Sequence, residues 1–182
     1  MIYWFIIADE ISFWLFILLG LITRYIMKKE KLSLFFFIST PFLDLLLLIL
    51  TFFDLRSGHP ASFAHALAAI YIGVSIAFGS QMVKWADVRF AHHFAGGPAP
   101  AKKPKFGKAH ARWERQGWYR HLLAWFIGSG LMLVVYFLSG HPDQNEVLFK
   151  TARLWLIILA ADFIISFSYT LFPKKDAQKS TW

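Results

Sequence analysis

Residues 34–53 read LFFFISTPFLDLLLLILTFF, held between Lys28-Lys29-Glu30-Lys31 on one side and Asp54-Leu55-Arg56-Ser57-Gly58-His59-Pro60 on the other. About 20 residues at 1.5 Å each span the ~30 Å of hydrocarbon in a bilayer, and this run has that length. A charged cluster cannot enter lipid cheaply, and a glycine stop followed by a proline restart ends a helix at its far side. The stretch therefore decides the fold class as an all-α membrane protein.

Working outward, four more runs follow the same rule. The first extends from about Ile11, or earlier, to Met27; the third covers about Ala61 to Val83, the fourth about His121 to Leu138, and the fifth about Leu148 to Phe172. The expected domain is a single five-span unit over residues 1–182, with spans at about 11–27, 34–53, 61–83, 121–138 and 148–172. Met1-Ile2-Tyr3-Trp4-Phe5 lacks a basic leader, and Asp9 and Glu10 interrupt the first apolar stretch, so the N-terminus reads as a retained span. Span one is expected at the periphery or facing a subunit, with spans two to five forming the bundle.

Composition agrees. The chain is 57% hydrophobic and 16% charged, with a mean hydropathy of +0.49, whereas soluble domains run near 45–50% apolar and 25% charged. There is no cysteine, which excludes disulfide scaffolds, thiolate metal sites and cysteine nucleophiles. With the N-terminus outside, 16 of the 19 Lys and Arg residues fall on the cytoplasmic side and only Arg56, Lys150 and Arg153 fall outside. That bias sets orientation. It also accounts for the net charge of +8 without any nucleic-acid partner. The expected location is the bacterial cytoplasmic membrane, multi-pass, with the C-terminus inside.

Residues 84–120 form the one large extramembrane connection, whose centre, Ala95-Gly96-Gly97-Pro98-Ala99-Pro100-Ala101-Lys102-Lys103-Pro104, is a flexible basic linker by composition. After it, Lys108, Arg112, Trp113, Arg115 and Trp118 have the mixture of a helix lying among anionic headgroups. An aromatic belt with basic anchors on an ordinary cytoplasmic loop fits the same residues. The bilayer and its anionic lipids are the expected partners, with a homo-oligomer or membrane partner also open. Ser57-Gly58-His59-Pro60 is echoed by Ser139-Gly140-His141-Pro142 at the corresponding place between spans four and five. Either two tandem hairpins are repeated in parallel, or both outer turns have converged on the same turn chemistry.

Asp44 falls near the middle of span two and Asp162 at a similar depth in span five. An aspartate at a helix centre costs roughly 2.5–3.5 kcal/mol on insertion scales and is by default a functional-site hypothesis. Ser33, Thr40, Asp44, Thr51 and Asp54 share one stripe of span two, and Trp155, Asp162, Ser166 and Tyr169 one of span five. Pro41 cannot donate to the Phe37 carbonyl, so a kink with a freed acceptor is expected beside the acid. Asp44, Asp162, Thr40 and Ser166 are the candidates for proton- or cation-linked passage. The alternative is an accessory or structural subunit in which both carboxyls are packing contacts.

His65, Ala69, Gly73 and Ala77 recur at i+4 as a stripe of small residues that lets a helix or a second copy approach. Seven histidines raise a metal or haem reading, with His59, His65 and His141 the candidates on the outer side, His92, His93, His110 and His121 on the inner side, and loss on His65→Ala or His121→Ala the test. No tight ligand spacing such as HExxH occurs, and no cofactor is expected. Phe106-Gly107-Lys108-Ala109-His110-Ala111-Arg112-Trp113-Glu114-Arg115, running on to Arg120-His121-Leu122-Leu123-Ala124-Trp125, resembles small integral membrane proteins of Bacillus and relatives of the YmcC kind. The resemblance implies a bacterial membrane location and transfers no functional residue.

Overall fold

The computed structural model describes residues 2–138 and 145–174. Five helices run in order: α1 (Ile2–Tyr25), α2 (Glu30–Arg56), α3 (Phe63–Phe94), α4 (Gly107–Leu138) and α5 (Glu146–Leu171). Four of them, α2 to α5, are long and apolar enough to cross a membrane, and α1 carries a shorter apolar stretch over Ile11–Tyr25. Apolar side chains cover the outside as well as the inside: Phe126 and Ile164 are each 70% exposed. Continuous apolar surface of this kind is stable only against lipid or a partner.

Tight connections reverse the chain. Lys28 takes φ 56° between α1 and α2, where Lys29 N–H donates to Thr23 O at 2.8 Å. Gly58 takes φ 86° between α2 and α3, a left-handed backbone that glycine adopts without a Cβ penalty. Ser139-Gly140-His141-Pro142, the second member of the repeated turn, lies outside the described residues. The ends of α1, α3 and α5 meet the starts of α2 and α4 at one end of the bundle. There Arg24 of α1 pairs with Asp87 of α3 at 3.3 Å, and Gly107 N–H donates to Lys174 O at 2.9 Å. Most of the described lysines and arginines belong to this basic end, with Arg56, Lys150 and Arg153 at the other.

α3 is the hub and touches each of the other four helices. Its small residues set the approach: a Cβ added at Gly73 would collide with the Ala124 carbonyl oxygen and lie 3.0 Å from Gly128 N. Ala69 and Gly73 of α3 thus face Ala124 and Gly128 of α4 backbone to backbone, a contact that dispersion and packing favour in lipid. Around it Leu55, Ala66, Ala69, Met132, Val135 and Leu148 form the buried apolar cluster. α1 is not an outlier to this bundle. Ile17 and Leu21 are buried, and α1 packs along α2 and touches α3.

Two elements run further than the apolar runs alone mark out. α3 continues to Phe94, and α4 starts at Gly107 as one helix with the fourth span. The basic aromatic segment is therefore neither a loop nor a separate helix. It is held on α5: Arg115 donates to Thr170 Oγ1 at 2.6 Å, and Trp118 Nε1–H donates to Leu159 O at 3.1 Å. The Trp118 ring also meets Phe163 and Phe167 edge-on. The connection shrinks to residues 95–106, pinned by His92 Nδ1 on Gly97 O at 3.0 Å and His110 Nδ1 on Pro104 O at 3.1 Å.

α2 is unbroken at Pro41. The ring removes the donor that would reach Phe37 O, and the Thr40 hydroxyl donates to that carbonyl instead, at 3.0 Å.

Candidate functional site

A cavity of ≈ 460 Å³ lies between α1, α3, α4 and α5 in the half of the bundle nearer the basic end, with Lys103 of the 95–106 connection on its wall. Volumes of about 300–1,000 Å³ with mostly apolar walls and a few converging polar groups are typical of small-molecule sites. The walls are aromatic: Trp14 from α1, Phe78 and Trp85 from α3, Trp113 and Trp118 from α4. Gly117, where an added Cβ would meet nothing within 4 Å, leaves room beside them.

Polar groups enter from three sides. Asp162 of α5 receives His121 of α4, Oδ2 to Nδ1 at 2.6 Å, and the Ser166 hydroxyl donates to its Oδ1 at 3.3 Å. Ser166 is buried. An ionised carboxylate only accepts, so in this bond Nδ1 carries a proton and donates it. The ring is steadied by Phe78, whose centroid lies 5.0 Å away. Such a pair can hold a proton, pass it on, or act as a general base. Glu114, Arg120 and Lys103 line the same space.

No residue of α2 lines this cavity. Asp44 is buried on its own stripe of α2 with Ser33, Thr40, Leu47 and Thr51. Thr40 and Pro41 face a different cavity, of ≈ 430 Å³, together with Arg24, Lys84 and Asp87. Asp162 and Ser166 thus stand together, whereas Asp44 and Thr40 stand elsewhere. The partner that the sequence reading had not joined to Asp162 is His121. A usable signal was present: Glu114, Trp118, His121, Trp125 and Gly128 recur at steps of four and three, which marks one face of a continuous helix turned to a neighbour. Trp125 Nε1–H donates to Ala152 O at 3.2 Å on that same face.

The remaining candidates have other surroundings. His65 is buried and uses both ring nitrogens: Nδ1 accepts Ser62 N–H at 3.0 Å, so Nε2 carries the proton and donates to Asp54 Oδ2 at 2.8 Å. Neither nitrogen offers a metal a lone pair in this arrangement. His59 Nδ1 lies 3.5 Å from the other Asp54 oxygen, and His141 is outside the described residues. Among the described residues there is no group of three or more metal-ligating side chains. In the basic segment Lys108 and Arg112 are exposed, whereas Trp113 and Trp118 turn to the cavity and Arg115 is engaged with Thr170.

Compared with known proteins, the chain is 43% identical over 174 residues, 95% of this chain and 93% of the other, to the "Uncharacterized membrane protein YmcC" of Bacillus subtilis (strain 168). No family model and no solved structure matches it.

Proposed function

The chain belongs to the YmcC-like family of bacterial membrane proteins, and from that premise we propose a five-span protein of the cytoplasmic membrane in which His121 and Asp162 link proton exchange to a solute held beside them. What carries the reading is one observation: the 2.6 Å bond between His121 and Asp162 on the wall of a ≈ 460 Å³ cavity. An ionisable side chain between membrane helices is by default a functional-site hypothesis, and a pair serving packing alone needs no such space.

The orientation in this reading has the N-terminus outside and the basic end in the cytoplasm, supported by the 16-to-3 division of Lys and Arg. The cavity then lies in the inner half of the bundle. Beyond it, away from the basic end, α3 and α4 close on each other at Gly73 and Ala124. Lys108 and Arg112, exposed on the first turns of α4, are placed to meet anionic headgroups of the inner leaflet.

Asp44 takes the second role. It is 3% exposed within a buried polar stripe, which favours a packing contact that holds α2 to the bundle, as in an accessory subunit or an oligomer.

Proton movement into dye-loaded proteoliposomes, driven by an imposed potential and repeated with a panel of external cations, tests the proposal. Wild type should carry protons in at least one condition, Asp162→Asn and His121→Ala should abolish the movement, and Asp44→Asn should retain it. Behaviour like protein-free vesicles across the panel, or full activity in the Asp162 and His121 variants, would overturn it.

A further inference from the structure

The walls and charges of the cavity specify more than a proton site. Resting on the proposed role of that cavity, we infer that its solute is a lipophilic organic monocation and that Lys103, from the 95–106 connection, is a built-in competitor for the same place.

The aromatic faces come first. Trp14, Phe78, Trp85, Trp113 and Trp118 line one space, and the negative faces of such rings attract cations within about 6 Å of the centroid. One of these rings already holds a cation that lines the cavity with it: Lys103 Nζ stands 4.6 Å over Trp113. A positive group on this aromatic wall is thus an arrangement the chain itself adopts.

The charged lining comes next. Glu114 and Asp162 are the acidic side chains of the lining, Lys103 and Arg120 its basic ones, and His121 is bonded to Asp162. Arg120 is fixed on α4. Lys103 is exposed and lies on a connection without helical backbone, so its long flexible stem can leave by rotamer changes alone. The connection itself stays tied on either side of it by His92 at Gly97 and His110 at Pro104. Once Lys103 withdraws, the Trp113 face loses its cation while Glu114 and Asp162 stay on the lining. A single positive charge on an apolar body takes the place that Lys103 leaves and covers the Trp113 face. An anion does not.

The test uses the full-length protein in detergent, with tetraphenylphosphonium as probe and tetraphenylborate, its anionic counterpart of the same shape, as control. Saturable binding is read by equilibrium dialysis and tryptophan quenching. Wild type should bind the cation and not the anion. Lys103→Ala should bind it roughly three- to tenfold more tightly, on the scale of one cation–π contact removed from competition, and Lys103→Arg should stay near wild type. Glu114→Gln and Asp162→Asn should each weaken binding several-fold while eluting as folded protein.

Equal saturable binding of the anion, no binding of the cation, or unchanged or weaker binding by Lys103→Ala would overturn the inference. Failure here with proton movement intact in vesicles would remove the cation and leave the proton-linked role. Cation binding with no proton movement would do the reverse.

Discussion

Trp155 of α5 occupies the place where a side chain on Gly128 of α4 would be: an added Cβ would come within 2.6 Å of Trp155 Cζ3 and 3.1 Å of Ala69 O. Three helices meet at this residue. Gly128→Ala should lower thermal stability in detergent, and Gly73→Ala should do so more, because the atom it meets is the Ala124 backbone carbonyl, which cannot swing aside. Overpacking of this kind costs about 1–3 kcal/mol. Gly79→Ala, whose Cβ would meet nothing within 4 Å, should be neutral or stabilise by up to about 1 kcal/mol through helix propensity. A melting series of the three variants checks the ranking.

His65 joins the last turn of α2 to the first turn of α3 through Asp54 and Ser62. His65→Ala leaves the Ser62 N–H and the half-exposed Asp54 carboxylate without their partner and should cost about 1 kcal/mol. Asp54→Asn keeps an oxygen that accepts Nε2–H and should cost less. His59→Ala, at an exposed ring, should change melting little. Zinc added to wild type and to His65→Ala should shift the two melting temperatures alike, since both His65 nitrogens are engaged.

Thr40 and Pro41 should show coupling. Thr40→Val removes the donor to Phe37 O and is expected to cost about 1 kcal/mol. With Pro41→Ala the backbone N–H of residue 41 can reach that carbonyl, so the same Thr40 substitution should cost less in that background. A double-mutant cycle on melting free energies measures the difference.

Long apolar runs such as residues 34–53 made the helical spans legible, since lipid demands length and apolarity and little else. The start of α4 was not legible by that rule. Lys108, Arg112 and Arg115 break the hydropathy there, while contacts to α5 at Thr170, Leu159 and Phe163 hold the helix. Depth along a span marked Asp162 as a candidate, yet depth says nothing of direction around the helix. Asp44 and Asp162 share a level by count and face different surroundings, because α2 and α5 each turn their polar stripe to their own neighbours. The His121–Asp162 pairing follows from the antiparallel α4–α5 hairpin, in which the two residues stand at matching distances from the connection.

That His121 donates its Nδ1 proton to Asp162 is tested most directly by ¹⁵N NMR of imidazole-labelled protein, with His121 assigned through its loss in His121→Ala. A protonated Nδ1 is expected in wild type, with a signal that changes in Asp162→Asn. A ring protonated on Nε2 alone, or a signal unmoved by Asp162→Asn, would contradict the account.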